Sequence, residues 1–240
     1  TDRTRFIILN SPHNPTGGML SREDVRRLGE LLRDRNLFVL ADEVYSRILY
    51  EGEHHSVAAE PGMQEKTIIL DGHSKTYAMT GWRLGYGVMN RELAAHVTRL
   101  MTNVNSCTNV FVQRAGIVAL EGDQEIVRSR AEEFRRRRDV IVDGLAAIPG
   151  IRCARPKGAF YVLPNVRGTG MDCRTLAHRL LEEAGVATLA GTSFGDNGEG
   201  FLRLSYANSV ENIREAIKRI AGFVTEHAAG GGKSTRAARL

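Results

Sequence analysis

Three short apolar runs, RFIIL at 5–9, LFVLAD at 37–42 and KTIILDG at 66–72, do most to limit what this chain can fold into. Each has the length of a strand, and polar loops and helical spacing separate them. That is the pattern of βαβ units building a mostly parallel sheet with both faces covered. NSPHNPTGG after the first run must be loop. Ser21, with Asp24 three residues on, then opens a helix carrying Val25, Leu28, Leu31 and Leu32 at helical spacing. In such sheets ligands sit beyond the carboxyl ends of the strands. Asn14, Asp42 and Lys75 each follow one of the three runs, so they are expected to meet at one rim.

A fourth strand is expected in LGYGVM (84–89), then helices through 91–102, 106–121 and 124–147. Beyond them IRCA, AFYVL, VATLA and FLRLSYA read as strands and 172–184 and 209–226 as helices, a second and smaller α/β portion. The boundary is placed inside the 124–147 helix, giving domains at 1–130 and 131–226. The Gly-rich, basic end, 227–240, is expected to be a disordered tail.

The balance of 42% hydrophobic and 25% charged residues is that of a soluble globular protein. A net charge of +5 is spread among acidic residues, apart from RRRR at 135–138 and the end of the chain, and indicates no nucleic-acid partner. The three cysteines are far apart and form no metal spacing, which suits a reducing, cytoplasmic compartment. No apolar run approaches the ~18 residues that cross a bilayer, so no membrane partner is expected.

Lys75 lies among Gly72, Ser74 and Gly81, which allow close backbone approach. An isolated lysine is ordinarily a solvated charge, whereas one held partly uncharged, with Arg83 a candidate neighbour, can attack a carbonyl. Asp42 could orient a ligand cation at the rim or equally cap a following helix. Tyr45, three residues on, would share its face if the chain turns helical there, and taken alone is a packing residue. Asn14 stands in a turn sequence. Arg203 alternates with Leu202 and Leu204 and so points to the opposite face, to solvent in the simplest reading or into a cleft as a carboxylate fork. GGGKST lacks the first glycine and the preceding strand of a phosphate loop, GYGVMN lacks the third glycine of a dinucleotide fingerprint, and the adjacent His54 and His55 suit no metal.

NSPHNPTGG, ADEVY, SKTYAMTGWRLGYG, GAFYV and LRLSYA, in that order, resemble the class I aminotransferases of the aspartate aminotransferase type, from about residue 6 to 226. The resemblance implies fold type I: a three-layer α/β/α large domain, here partial, and a small α/β domain. It implies pyridoxal 5'-phosphate as cofactor and an exchange of amino and keto groups between an amino acid, such as aspartate, and a 2-oxo acid, such as 2-oxoglutarate. By the same resemblance Lys75 forms the internal aldimine and shuttles the proton, and Asp42 keeps the pyridine nitrogen protonated. Tyr45 and Asn14 serve the phenolic oxygen, Ser74 and Arg83 the phosphate, and Arg203 the substrate carboxylate, with Asn14 also near substrate. A lyase on the same scaffold, a non-catalytic effector-binding domain and an inactive fragment are the rival readings. Two positions depart from the family, Gly72 where many members carry a hydroxyl, and His73 where an apolar or aromatic residue is usual. The family's N-terminal part, with its phosphate loop and the residues exchanged across a homodimer, has no counterpart in the chain, which is therefore expected to expose an apolar edge.

Overall fold

Four strands form the first sheet: β1 (Phe6–Asn10), β2 (Phe38–Asp42), β3 (Thr67–Gly72) and β4 (Gly85–Val88), in that spatial order. The first three are parallel and β4 is antiparallel to β3, so the sheet is mostly parallel as expected. In register, Asn10 faces Asp42, Asp42 faces Leu70, and Gly72 faces Gly85. The computed structural model describes residues 1–230.

Helix α1 (Arg22–Leu32) begins at the expected capping box. The Asp24 N–H donates to Ser21 Oγ (3.1 Å) and the Ser21 N–H to Asp24 Oδ2 (3.0 Å), satisfying two donors that a helix start leaves open. Val25 and Leu32 are buried with Leu37, Val39, Ala41, Val57 and Met63, and Leu28 packs at the margin, whereas Leu31 is exposed. Ile7 and Leu9 join this core, so it lies on one face of the sheet.

The other face departs from expectation, since Phe6, Ile8, Phe38 and Leu70 are exposed. The reason is topological. Two right-handed crossovers that step in the same direction along a sheet pass over the same face. α1 and the turns Val57–Ala59 and Gln64–Lys66, which carry β1 to β2 and β2 to β3, therefore share one layer.

The chain divides into two compact units, the main boundary falling between Glu133 and Phe134 inside one helix, with Pro15–Gly17 grouped with the second unit and Lys157–Ala159 with the first. The first unit continues through α2 (His73–Thr76), α3 (Arg91–Val104), α4 (Val110–Glu121) and the start of α5 (Glu125–Ala146). Asn90 and Asn109 cap α3 and α4 by accepting from the Leu93 and Phe111 N–H groups. The second unit holds the rest of α5, then β5 (Tyr161–Val162), α6 (Cys173–Ala184), β6 (Leu189–Ala190), β7 (Leu202–Ser205) and α7 (Val210–Gly230). Its strands form an antiparallel sheet, β5-β7-β6, over a core that includes Leu145, Val162, Leu176, Leu180, Leu202 and Tyr206. The expected strand IRCA reduces to one bridge, in which Arg152 and Asn165 exchange both backbone hydrogen bonds. α7 runs past position 226 to Gly230 because nothing in EHAA breaks a helix. The remainder of the expected tail lies outside the described residues.

Candidate active site

The rim of the first unit is built by the register of three neighbouring parallel strands. β1 ends at Asn10, whose side chain donates to the Asp42 carbonyl (3.1 Å) and accepts the Asn14 N–H (2.8 Å). The Ser11 N–H also donates to the Asp42 carbonyl (3.3 Å), and Ser11 Oγ accepts the Leu20 N–H (3.1 Å). These bonds fasten the NSPHNPTGG loop to the end of β2, with Asn14 beside it. Asn10, the tie between Asn14 and Asp42, is absent from the sequence-based site because its spacing carries no signal until the two strands pair.

Asp42 ends β2, half-buried. Burial raises its carboxyl pKa, the charges of Asp71 and Glu43 push the same way, and only a weak backbone bond from Val44 (3.4 Å) opposes them. The chain does not turn helical after Asp42. Residues 44–47 form a turn, with Ser46 N–H donating to the Glu43 carbonyl, so Asp42 and Tyr45 share no helical face. Tyr45 is buried in that turn, at 4% exposure. The neighbouring Glu43 carboxylate lies 3.0 Å from His54 Nε2, within ion-pair reach but not aligned as a hydrogen bond, and both side chains are largely buried. Sequence reading considered this histidine only as a metal ligand.

Lys75 is half-buried in α2, directly after β3, and Ser74 precedes it. The junction is tight. A Cβ at Gly72 would lie 3.1 Å from Gly85 Cα and from the Leu84 carbonyl oxygen, and one at Gly85 would lie 3.2 Å from the Asp71 oxygen. The two facing glycines thus explain why position 72 carries no hydroxyl. Arg83 takes the left-handed conformation (φ 55°) just before β4, at the end that pairs with Gly72. Its exposed guanidinium donates to the Thr80 carbonyl (2.7 Å) and keeps other N–H donors for an anion.

In the second unit Arg203 does not simply extend to solvent. Its guanidinium carbon lies 4.6 Å from the ring centroid of Tyr161 and 5.0 Å from that of Phe194, while Leu202 and Leu204 are buried on the opposite face of β7. A cation held between aromatic faces keeps its planar fork oriented.

A half-buried carboxylate, a lysine on a one-turn helix and an exposed arginine at the rim of a mostly parallel sheet are what the resemblance to pyridoxal phosphate enzymes of fold type I implies, and the solved structures that this chain matches share that fold class. The family model for aminotransferase class I and II matches residues 1–220, and the chain belongs to that family. It is 41% identical over 229 residues to an aspartate aminotransferase of Musicola paradisiaca, covering 95% of this chain and 57% of that protein. With the arginine–pyruvate transaminase of Pseudomonas aeruginosa identity is 42% over 221 residues, covering 92% of this chain and 56% of the relative. Among solved structures, an aromatic aminotransferase from Pyrococcus horikoshii superposes with a TM-score of 0.92 at 36% identity, covering 95% and 62% of the two chains. The aspartate aminotransferase of Rhizobium meliloti gives 0.88 at 39% identity, covering 94% and 59%. The chain spans a little over half the length of the relatives it matches.

Proposed function

We propose that this chain carries the lysine-bearing part of a pyridoxal phosphate-dependent aminotransferase, exchanging the amino group of an L-amino acid, aspartate or another common one, with a 2-oxo acid such as 2-oxoglutarate. One observation carries the reading: Asn14, Asp42 and Lys75, from three separate sequence segments, come to one rim of adjacent parallel strands. Class I aminotransferases of the aspartate aminotransferase type use pyridoxal phosphate. The donor set here fits it: a half-buried acid whose raised pKa a ring cation would offset, an amine, a hydroxyl and an arginine.

When bound, the cofactor supplies an electron sink for the charge left as the substrate Cα loses its proton. Asp42 would hold a proton on the ring nitrogen, and a carboxylate removed from bulk water would do so more strongly than an exposed one. Asn14 and Tyr45 orient the ring through its phenolic oxygen. Arg83 and Ser74 bind the phosphate, and Arg203 accepts the substrate carboxylate in its fork. Lys75 Nζ would hold the cofactor through its carbonyl carbon and would serve as the base that moves the proton at the substrate Cα.

The complete protein is taken to act as a homodimer, a reading supported by the apolar side chains exposed on α3 and α4. A reducing, cytoplasmic setting agrees with Cys107, Cys153 and Cys173 all being free thiols. Relatives with transaminase names give the lyase and effector-domain readings no support.

Borohydride reduction after addition of pyridoxal phosphate tests the reading. A stoichiometric adduct mapped to Lys75 and absent from Lys75→Ala is expected. Adducts scattered over surface lysines would defeat the assignment.

A further inference from the structure

We propose that His73 is the positioning residue that sets Lys75, through a buried hydrogen bond from its imidazole to α4. The inference rests on the reading of Lys75 as the reactive amine. α2 has four residues, too few to be stable alone, and Gly72 offers no side-chain cap. Its anchors gather on one residue. The His73 N–H donates to the Leu84 carbonyl (3.1 Å), and the His73 carbonyl accepts from Tyr77 (3.1 Å) and Met79 (3.3 Å).

The imidazole adds the link that leaves the local segment. It is 3% exposed, with Nε2 at 3.3 Å from the Gly116 carbonyl oxygen in α4. A carbonyl can only accept, so Nε2 carries a proton and donates the bond. Nδ1 is buried with no hydrogen-bond partner. Tyr77 flanks the ring at 5.4 Å between centroids, and Tyr86 meets it edge-on at 6.0 Å. Gly116 is what allows the approach: a Cβ there would stand 2.4 Å from Leu84 Cδ2 and 3.2 Å from His73 Nε2. A phenyl ring would fill this box without leaving a nitrogen unsatisfied, so the polar ring is costly unless its one directional bond is used. That bond fixes α2, and Lys75 two residues along, against α4.

Long-range proton–nitrogen NMR on the wild-type chain reads the tautomer directly. A protonated Nε2 is expected, and a bare Nε2 overturns the proposal. In His73→Phe, amide exchange at Tyr77 and Met79 should quicken about fivefold to tenfold, the effect of losing one net hydrogen bond, while Val39 and Ala41 in β2 keep their rates. Gly116→Ala should act in the same direction. Unchanged exchange at Tyr77 and Met79 in His73→Phe would refute the positioning role. Borohydride trapping at Lys75 should slow in parallel. Failure of wild-type trapping would sink the functional reading alone, leaving the tautomer and exchange results to judge His73.

Discussion

At the scale of single residues, Asp42 shows how a site can work against stability. Its carboxyl pKa is raised, chiefly by burial, so the folded chain holds the proton more tightly than the unfolded one. The linked stability is present below the ordinary carboxylate range and is lost as pH rises through the raised folded value. At neutral pH the charged form is therefore a burden on the cofactor-free chain, and Asp42→Asn should raise its melting temperature slightly. On the proposed function, the same change should cut transamination by about two orders of magnitude or more, because an amide would not hold a proton on the ring nitrogen. Calorimetry and steady-state rates measured side by side check the opposed signs. A fall in both would mean that Asp42 is structural.

Tyr86 gives a second residue-level test. Burial, the Asp71 charge and the hydrogen bond from its hydroxyl to Asp71 Oδ2 (3.1 Å) push its phenol up to about 12. Because the folded value is the higher one, the linked stability persists below the ordinary phenol range and is lost as pH rises through the folded value. Asp71→Asn removes the charge and leaves burial, so a spectrophotometric titration should show the phenol falling back part of the way.

At the scale of elements, the capping box of α1 was legible because Ser21 and Asp24 are three residues apart and bond only to each other and their own backbone. Ser21→Ala should cost about 1 kcal/mol, read as a lower urea midpoint at unchanged slope. The parallel strands and the rim residues were equally legible, since apolar runs and the residues that follow them are local features. What the sequence hid depends on partners far along the chain. The Gly72–Gly85 approach, the Glu43–His54 pair and the aromatic pair around Arg203 each join segments that no periodicity relates. The turn after Asp42 was missed because ADEVY has no breaker and helical spacing looked available. Gly72→Ser follows from the hidden geometry: supplying the hydroxyl that the family resemblance leads one to expect should weaken cofactor retention here, since its Cβ must push the β3–β4 backbone apart by a few tenths of an ångström. Equilibrium dialysis of pyridoxal phosphate against wild type and variant decides it, and tighter binding in the variant would show that the strand pair yields freely.

At the scale of the whole molecule, the unusual quantity is apolar surface. Leu100 and Val104 on α3 and Val110, Phe111 and Val118 on α4 are exposed at 60%, 66%, 64%, 65% and 71%. Scattered exposed apolar residues are ordinary, but five on two consecutive helices, in a unit that also leaves one sheet face open, are more than a solitary soluble body usually presents. Among the described residues these side chains lie outside the buried cores of the two units and stay on the surface. A second copy is the partner the homodimer reading supplies. Sedimentation velocity should then show a heavier species growing with concentration. Val118→Lys should shift that equilibrium toward the lighter species and leave thermal unfolding nearly unmoved, because a substitution at an exposed position changes folding by only about 0.5 kcal/mol or less. A single light species at every concentration would remove self-association as the reason for this surface, and a Val118→Lys variant that unfolded early would show that Val118 supports the fold rather than an interface.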